Sequence, residues 1–311
     1  MKYTFLMPAY KATFLSEAIK SILNQTHTDF QLIISDDCSP EGLKEIVDEF
    51  NDNRIIYRRN EKNIGAERLV DHWNLLLTMC ESEWCIMASD DDVYAPNFLE
   101  ELDKIQIKYP SADLLRSRLC IIDGNNEITF EEGLFHEYVD VVDFFTECHA
   151  NTFQMAIGNY SFRTSKLKEY GGFVVFPYAW FSDNATVLMM GANGCTNTSD
   201  ILFYFRFSGI NISTSPITKK EAKGKVIAGS QYNQWFANIT HSLESKCQNK
   251  LELNNVKFCK SRHFLHLFYQ QKSHLLKCGF KDFFDLIRTY EYGFNNKLKL
   301  IFRYFKDRIT Q

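Results

Sequence analysis

The sequence predicts an α/β fold: a sheet of parallel strands joined by crossover helices, followed by a helical extension. Three observations predict it. Short apolar runs alternate with segments of helical period through four successive strands, the pattern of a parallel sheet covered by helices. Three of those runs break into Pro8-Ala9-Tyr10, Asp36-Asp37 and Asp90-Asp91-Asp92. The carboxyl ends of strands are where open α/β sheets bind ligands. Finally, the charge reverses along the chain. Residues 1–215 carry 17 basic and 32 acidic groups, a net of −15, while residues 216–311 carry 18 and 7, a net of +11, which leaves −4 in all.

The elements follow in order. Tyr3 to Met7 read as a buried strand stopped by Pro8, and Phe14, Leu15, Ala18, Ile19, Ile22 and Leu23 recur at helical spacing. Phe30 to Ile34 form a second strand ending at Asp36-Asp37, and Leu43, Ile46, Val47 and Phe50 mark a helix. Arg54 to Tyr57 make a third strand, Asn60 to Gly65 a loop, and Leu69, Trp73, Leu76 and Leu77 another helix. The fourth strand starts at Trp84 and ends in the three carboxylates, before a helix near Pro96. Asp113 to Asp123 read as a strand and Gly124-Asn125-Asn126 as a turn, while 135–149 is a lid or a helix. After Pro216, residues 226–243, 258–276 and 280–292 read as helices, with Gly279 as a stop.

Composition narrows the function classes. The nine cysteines are scattered without a C-x-x-C, which argues for reduced thiols and against a zinc site or disulfide framework. No apolar run approaches the ~18 residues of a spanning helix, and the chain opens directly on a strand pattern. The expected location is cytoplasmic, either free or peripheral on the inner face of a membrane. No nucleic-acid module stands behind the basic C-terminal third. Neither G-x-G-x-x-G nor G-x-x-x-x-G-K-[ST] occurs, so phosphate charge would be met by a metal ion and basic side chains.

Three adjacent carboxylates at a strand end repel one another and prefer a cation. Hard oxygen donors suit Mg²⁺ or Mn²⁺, which bind through one or two carboxylates plus substrate phosphates. The plainer alternative is a solvated turn capping the next helix. Asp183 likewise opens a helix pattern in Trp180-Phe181-Ser182-Asp183, where a carboxylate caps free N–H groups.

Four motifs stand in register: Phe5-Leu6-Met7-Pro8-Ala9-Tyr10, Leu32-Ile33-Ile34-Ser35-Asp36-Asp37, Asn63-Ile64-Gly65 and Ser89-Asp90-Asp91-Asp92 with Pro96 beyond. Together they resemble the family-two inverting glycosyltransferases of the GT-A fold, a Rossmann-like mixed sheet flanked by helices. The resemblance covers about 1–215, with 216–311 as a basic helical extension. It implies a nucleotide-sugar donor, a UDP-sugar in the first instance, a Mn²⁺ or Mg²⁺ cofactor, and transfer of a hexosyl group with inversion. The acceptor would be a saccharide or lipid-linked saccharide in surface polysaccharide assembly.

Carried over by position, Pro8 and Tyr10 would lie against the nucleoside and Asp37 would accept from the base. Arg68 would reach the nucleotide, Asp90 would lie near the ribose, and Asp91 with Asp92 would serve the metal. Asp183 would be the general base, with Trp180 on the acceptor side and Arg206 near the diphosphate. Ser89 stands where the family often has the first carboxylate of D-x-D-D, and Ser208 stands at the histidine of its closing motif. Two rivals follow. A nucleotidyltransferase would need a glycine-rich basic first loop, for which Pro8-Ala9-Tyr10-Lys11 is a poor candidate. The two serines keep open a non-catalytic nucleotide-sugar binder or scaffold.

The last segment, Lys297 to Arg308, mixes basic and aromatic residues. It reads either as an amphipathic helix for an anionic membrane surface or as an aromatic face packed on the protein.

Overall fold

The computed structural model describes residues 1–150, 153–210, 217–289 and 294–309. The expected alternation is present. Strands β1 (Tyr3–Ala9), β2 (Phe30–Asp36), β3 (Ile55–Arg59) and β4 (Trp84–Met87) alternate with helices α1 (Leu15–Leu23), α2 (Leu43–Asp48) and α3 (Leu69–Thr78). They pair in parallel in the order β3-β2-β1-β4. Register aligns Ala9 with Asp36 and Asp36 with Arg59, so the carboxyl ends of these strands share one edge.

Beyond β4 the sheet is mixed. The short β5 (Val93–Tyr94) precedes α4 (Phe98–Lys108), and β6 (Leu114–Ile122) follows as expected, with β7 (Ile128–Glu131) folded back on it. After β8 (Tyr138–Val139), the 135–149 stretch contains helix α5 (Val141–Ala150). Strand β9 (Tyr160–Arg163) inserts antiparallel between β4 and β6. Helices α6 (Thr164–Glu169) and α7 (Ser182–Met190) lead to β10 (Cys195–Arg206), which runs parallel to β6 and antiparallel to β5. The sheet is therefore parallel only in part, because β9 breaks the run of parallel partners.

Strand alternation divides the core into two layers. On β1, Tyr3, Phe5, Met7 and Ala9 face the layer built with α1, α2 and α4, while Leu6 faces the opposite one. That opposite layer takes in α3, α5 and α7 together with Ala228, Tyr232 and Phe236 from α8 (Lys219–Lys246) and Val256, Cys259 and Leu267 from α9 (Lys250–Lys277). Thr218 begins α8 with a reciprocal cap, its hydroxyl accepting from the Glu221 N–H at 3.2 Å while the Glu221 carboxylate accepts from the Thr218 N–H.

Helices α10 (Phe280–Thr289) and α11 (Phe294–Ile309) close the chain, with Gly279 at the break expected for it. Leu300 and Tyr304 pack α11 on Ala222, Val226, Phe283 and Ile287, while Leu298, Phe302 and Phe305 are exposed. The packing reading holds for the face that carries Leu300 and Tyr304. Among the described residues no helix is long and apolar enough to cross a membrane. The end of the closing motif at 211–213, the 215/216 boundary and residues 290–292 of the third expected helix lie outside the described residues.

Candidate active site

The shared strand edge opens into a cavity of about 1030 Å³. Eight of the ten residues singled out in the sequence line it: Pro8, Tyr10, Asp37, Asp90, Asp91, Asp92, Trp180 and Asp183.

At one end, Asp37 organises the loop after β3. Its carboxylate accepts from the N–H of Ile64 at 2.8 Å, of Gly65 at 3.0 Å and from the Asn60 side chain at 2.9 Å. Gly65 takes φ +80°, a conformation that L side chains resist, which lets the chain wrap around this carboxylate. Asp36 serves structure instead, taking the Tyr57 hydroxyl at 2.6 Å and the Arg59 guanidinium.

In the middle stand the three carboxylates. Asp90 accepts from the backbone N–H of Tyr10 at 2.8 Å and Lys11 at 2.9 Å, tying β4 to the end of β1. Burial, with the Asp91 charge beside it, pushes its carboxyl up to about 6. The Ser89 hydroxyl donates to Asp91 and lies 2.9 Å from Asp92, whose other oxygen accepts from the Arg206 N–H at 2.9 Å. Burial raises both carboxyls above the usual range, and the Asp91 charge adds to the rise at Asp92. Among the described residues no three His, Cys, Asp or Glu side chains form a metal cage. A carboxylate trio raised by burial and repulsion still fits a hard divalent cation that takes its other oxygens from a diphosphate. Asp91 and Asp92 share the Ser89 hydroxyl, and Asp92 is also engaged by the Arg206 backbone.

Asp183, the second residue of α7, is part-buried on the cavity wall; its carboxylate accepts from the Asn184 N–H at 2.8 Å. Burial pushes its carboxyl up to about 6. Capping and cavity lining are therefore both true of it. The segment before it is strained, with Tyr178 at φ +60°, Ala179 at +53° and Phe181 at +67°, none of them glycine. The C-terminal helices brace it. A Cβ at Gly224 would lie 2.2 Å from the Tyr178 ring, Trp180 meets Lys225 and His274, and Phe181 stacks on Tyr232.

Two expected residues are not brought to the cavity. Arg68 points to solvent and pairs with Asp71 at 2.6 Å, although Gly65, Ala66 and Leu69 around it do line the wall. Arg206 is fully buried. Its guanidinium donates to Glu17 at 2.8 Å, to Asn126 at 2.6 Å and to the Asp91 carbonyl at 2.8 Å, so it braces the carboxylate turn from behind. Lys11, Tyr178, Lys225 and Gln270, to which the sequence pattern assigns no role, also line the cavity, and Asn63 lines it with its motif. A signal for Lys225 existed: it stands in the apolar stripe Ala222, Val226, Gly229, Tyr232 and Phe236 of α8.

A mixed sheet whose carboxylate-bearing strand ends share one edge is the architecture of the GT-A glycosyltransferases. Staphylococcus aureus TarS residues 1–349 in complex with UDP-GlcNAc superposes with a TM-score of 0.65 at 16% identity, over 93% of this chain and 82% of that one. The mannosyltransferase PcManGT from Pyrobaculum calidifontis, in complex with GDP-Man and Mn²⁺, gives a TM-score of 0.54 at 13% identity, over 88% and 74%. The chain belongs to glycosyl transferase family 2, whose family model matches residues 4–183.

Curated relatives agree over shorter stretches. An uncharacterized glycosyltransferase, MJ1057, of Methanocaldococcus jannaschii is 33% identical over 38% of this chain and 41% of its own length. The Escherichia coli UDP-Glc:alpha-D-GlcNAc-diphosphoundecaprenol beta-1,3-glucosyltransferase WfgD is 28% identical over 44% and 50%. These matches span half the relatives' lengths or less.

Proposed function

We propose that the chain transfers a hexosyl group from a nucleotide-sugar donor, a UDP-sugar, to a hydroxyl of a saccharide or lipid-linked saccharide, with inversion. The observation that carries this reading is that one cavity holds Tyr10 and Asp37, the Asp90–Asp92 turn, and Asp183. Pro8 and Tyr10 take the nucleoside, while Asp37, already holding the loop that frames the base, accepts from it. Asp91, with Asp90 and Asp92 beside it, holds Mn²⁺ or Mg²⁺ against the diphosphate. The cation, when bound, offsets the charge of the departing nucleoside diphosphate. Asp183 takes the proton of the acceptor hydroxyl as it attacks the anomeric carbon, which is worth ~10²–10⁴-fold. A single base implies one displacement and hence inversion.

TarS in complex with UDP-GlcNAc and the naming of WfgD as a UDP-Glc-dependent enzyme support the donor class. PcManGT with Mn²⁺ supports the cofactor. The exposed Leu298, Phe302 and Phe305 of α11, with Lys299 and Lys306 beside them, favour peripheral contact with an anionic membrane, where a lipid-linked acceptor would reside.

The test is thermal shift with UDP, GDP, dTDP and CDP, each with Mn²⁺ or EDTA. A hundredfold excess over Kd adds ~2.7 kcal/mol of stability. One diphosphate stabilising only with Mn²⁺ is the expected result. No shift with any nucleotide would overturn the donor site and leave the scaffold reading standing.

A further inference from the structure

The cavity extends past Asp183 to a wall that residues 4–183, the stretch matched to the family, do not supply. Lys225 of α8 and Gln270 of α9 line it, beside Trp180 and Tyr178. Lys225 is 1% exposed, and its ammonium lies 4.6 Å from the centroid of the Trp180 ring. Its backbone carbonyl accepts from Gln271 of α9 at 2.9 Å. Gly229 allows that approach, since a Cβ there would collide with the Gln271 amide. The lysine is thus fixed by the joint between α8 and α9. His274 meets the same indole edge-on at 4.7 Å and stays neutral near pH 7, because burial and the Lys225 charge hold its pKa down at about 4. The Trp180 indole N–H is buried without an acceptor among the described residues.

Burying an ammonium is costly, and the Glu221 charge one turn earlier on α8 offsets part of that cost. Asp37, Asp90, Asp91 and Asp92 outnumber Lys11 and make the donor side acidic, so an anion entering alone is repelled from that side and attracted to the Lys225 wall. An acceptor with one anionic group would therefore enter in a single orientation, its anion toward Lys225 and its hydroxyl toward Asp183.

We infer that Lys225, with Trp180, forms an acceptor subsite for a saccharide that carries a phosphate or carboxylate group, and that this subsite sets acceptor specificity. The inference rests on the functional reading above, with Asp183 as the base. Lys225 acts here by binding, and no covalent step is assigned to it.

The experiment is calorimetric binding to the full chain loaded with UDP and Mn²⁺. The probes are glucose 1-phosphate, N-acetylglucosamine 1-phosphate, glucuronate and methyl glucoside, each against wild type, Lys225→Met and Lys225→Arg. Wild type is expected to bind an anionic probe at least tenfold tighter than methyl glucoside, and the phosphate and uronate arms identify which anion is read. Lys225→Met should erase the preference, Lys225→Arg should keep most of it, and the UDP–Mn²⁺ affinity should stay within twofold in both. Equal binding of charged and neutral probes by wild type overturns the inference, as does a preference that survives Lys225→Met. A selective loss of UDP affinity in Lys225→Met would also overturn it, by assigning the lysine to the donor. If UDP fails to bind wild type at all, the functional reading falls instead. Should Lys225→Met not fold, the salt dependence of the wild-type preference decides, since a charge-read anion must lose its advantage as ionic strength rises.

Discussion

The ring of Phe181 lies flat on the ring of Tyr232, with centroids 4.8 Å apart and planes within 8°. One residue stands two positions before the proposed base, and the other sits in the middle of α8, so the C-terminal helices hold the strained 178–181 backbone against relaxation. Tyr232→Leu keeps an apolar side chain but removes the stack, at a cost of about 1 kcal/mol in stability. A small displacement of a reacting group is expensive in rate. We expect kcat to fall at least tenfold while the Kd for UDP with Mn²⁺ is unchanged. Steady-state rates and calorimetry on the same preparation check this, and equal losses in both would mean the variant is merely less folded.

Asp183 fixes the pH dependence. Its carboxyl is pushed up to about 6, and it must be ionised to accept a proton. The rate should therefore rise as pH increases through about 6 and level off above it. Stability runs the other way. The folded value lies above the ordinary 3.8, so the folded state binds this proton more tightly. That contribution to stability is full below about pH 4 and is lost as pH rises through about 6. Asp183→Asn should cut kcat by ~10²–10⁴-fold, leave UDP binding intact, and raise Tm at pH 7.5 by about 2–4 °C. A variant that keeps more than a tenth of the wild-type rate would remove Asp183 from the base role.

Asp91 and Asp92 should separate in their phenotypes although they adjoin. Asp92 accepts from the Ser89 hydroxyl and from the Arg206 N–H, an arrangement that an asparagine oxygen can largely reproduce. Asp91, which also accepts from Ser89, is the carboxylate proposed for the cation. Asp91→Asn should weaken the Mn²⁺-dependent stabilisation by UDP at least tenfold in apparent affinity, with Tm in EDTA unchanged. Asp92→Asn should shift the ligand-free Tm more than it shifts Mn²⁺ affinity. Titrating Mn²⁺ at fixed UDP distinguishes the two, and the reverse pattern would exchange their roles.

The legible part of the site was the part whose signal is local. Pro8, Asp37 and Asp90–Asp92 each end an apolar run, and a parallel sheet places such ends on one edge without further information. Strand β10 was harder to read: it opens with Thr196-Asn197-Thr198-Ser199-Asp200, which looks like a loop. Two of its polar groups are paired by residues about 80 positions away, Arg116 donating to Asn197 at 3.2 Å and the Arg118 N–H to Thr198 at 3.1 Å. The destination of Arg206 was equally hidden, because its partner Glu17 lies on α1 at the far end of the family domain. Lys225 was missed for another reason. Residues 216–311 carry 18 basic groups, and it is the packing of α8 that shows this one to stand in an apolar stripe.

The outer face of α11 gives the last prediction. Leu298, Phe302 and Phe305 recur at spacings of four and three, on the side of the helix away from Leu300 and Tyr304. Phe302 is 72% exposed, more than an aromatic ring in water is worth to the fold, so its removal should not lower Tm. Lys299 and Lys306 lie along one side of this strip, and each lysine near an anionic bilayer contributes ~1 kcal/mol of attraction. The chain should therefore sediment with vesicles containing phosphatidylglycerol and stay in solution with pure phosphatidylcholine. Phe302→Asp should abolish sedimentation, and Lys299→Glu with Lys306→Glu should weaken it about tenfold or more and make the remainder insensitive to salt. Transfer to a water-soluble acceptor should be unaffected in both. Binding to neutral vesicles as strong as to anionic ones would leave the lysines without this role, and an unchanged sedimentation of Phe302→Asp would return α11 to plain packing.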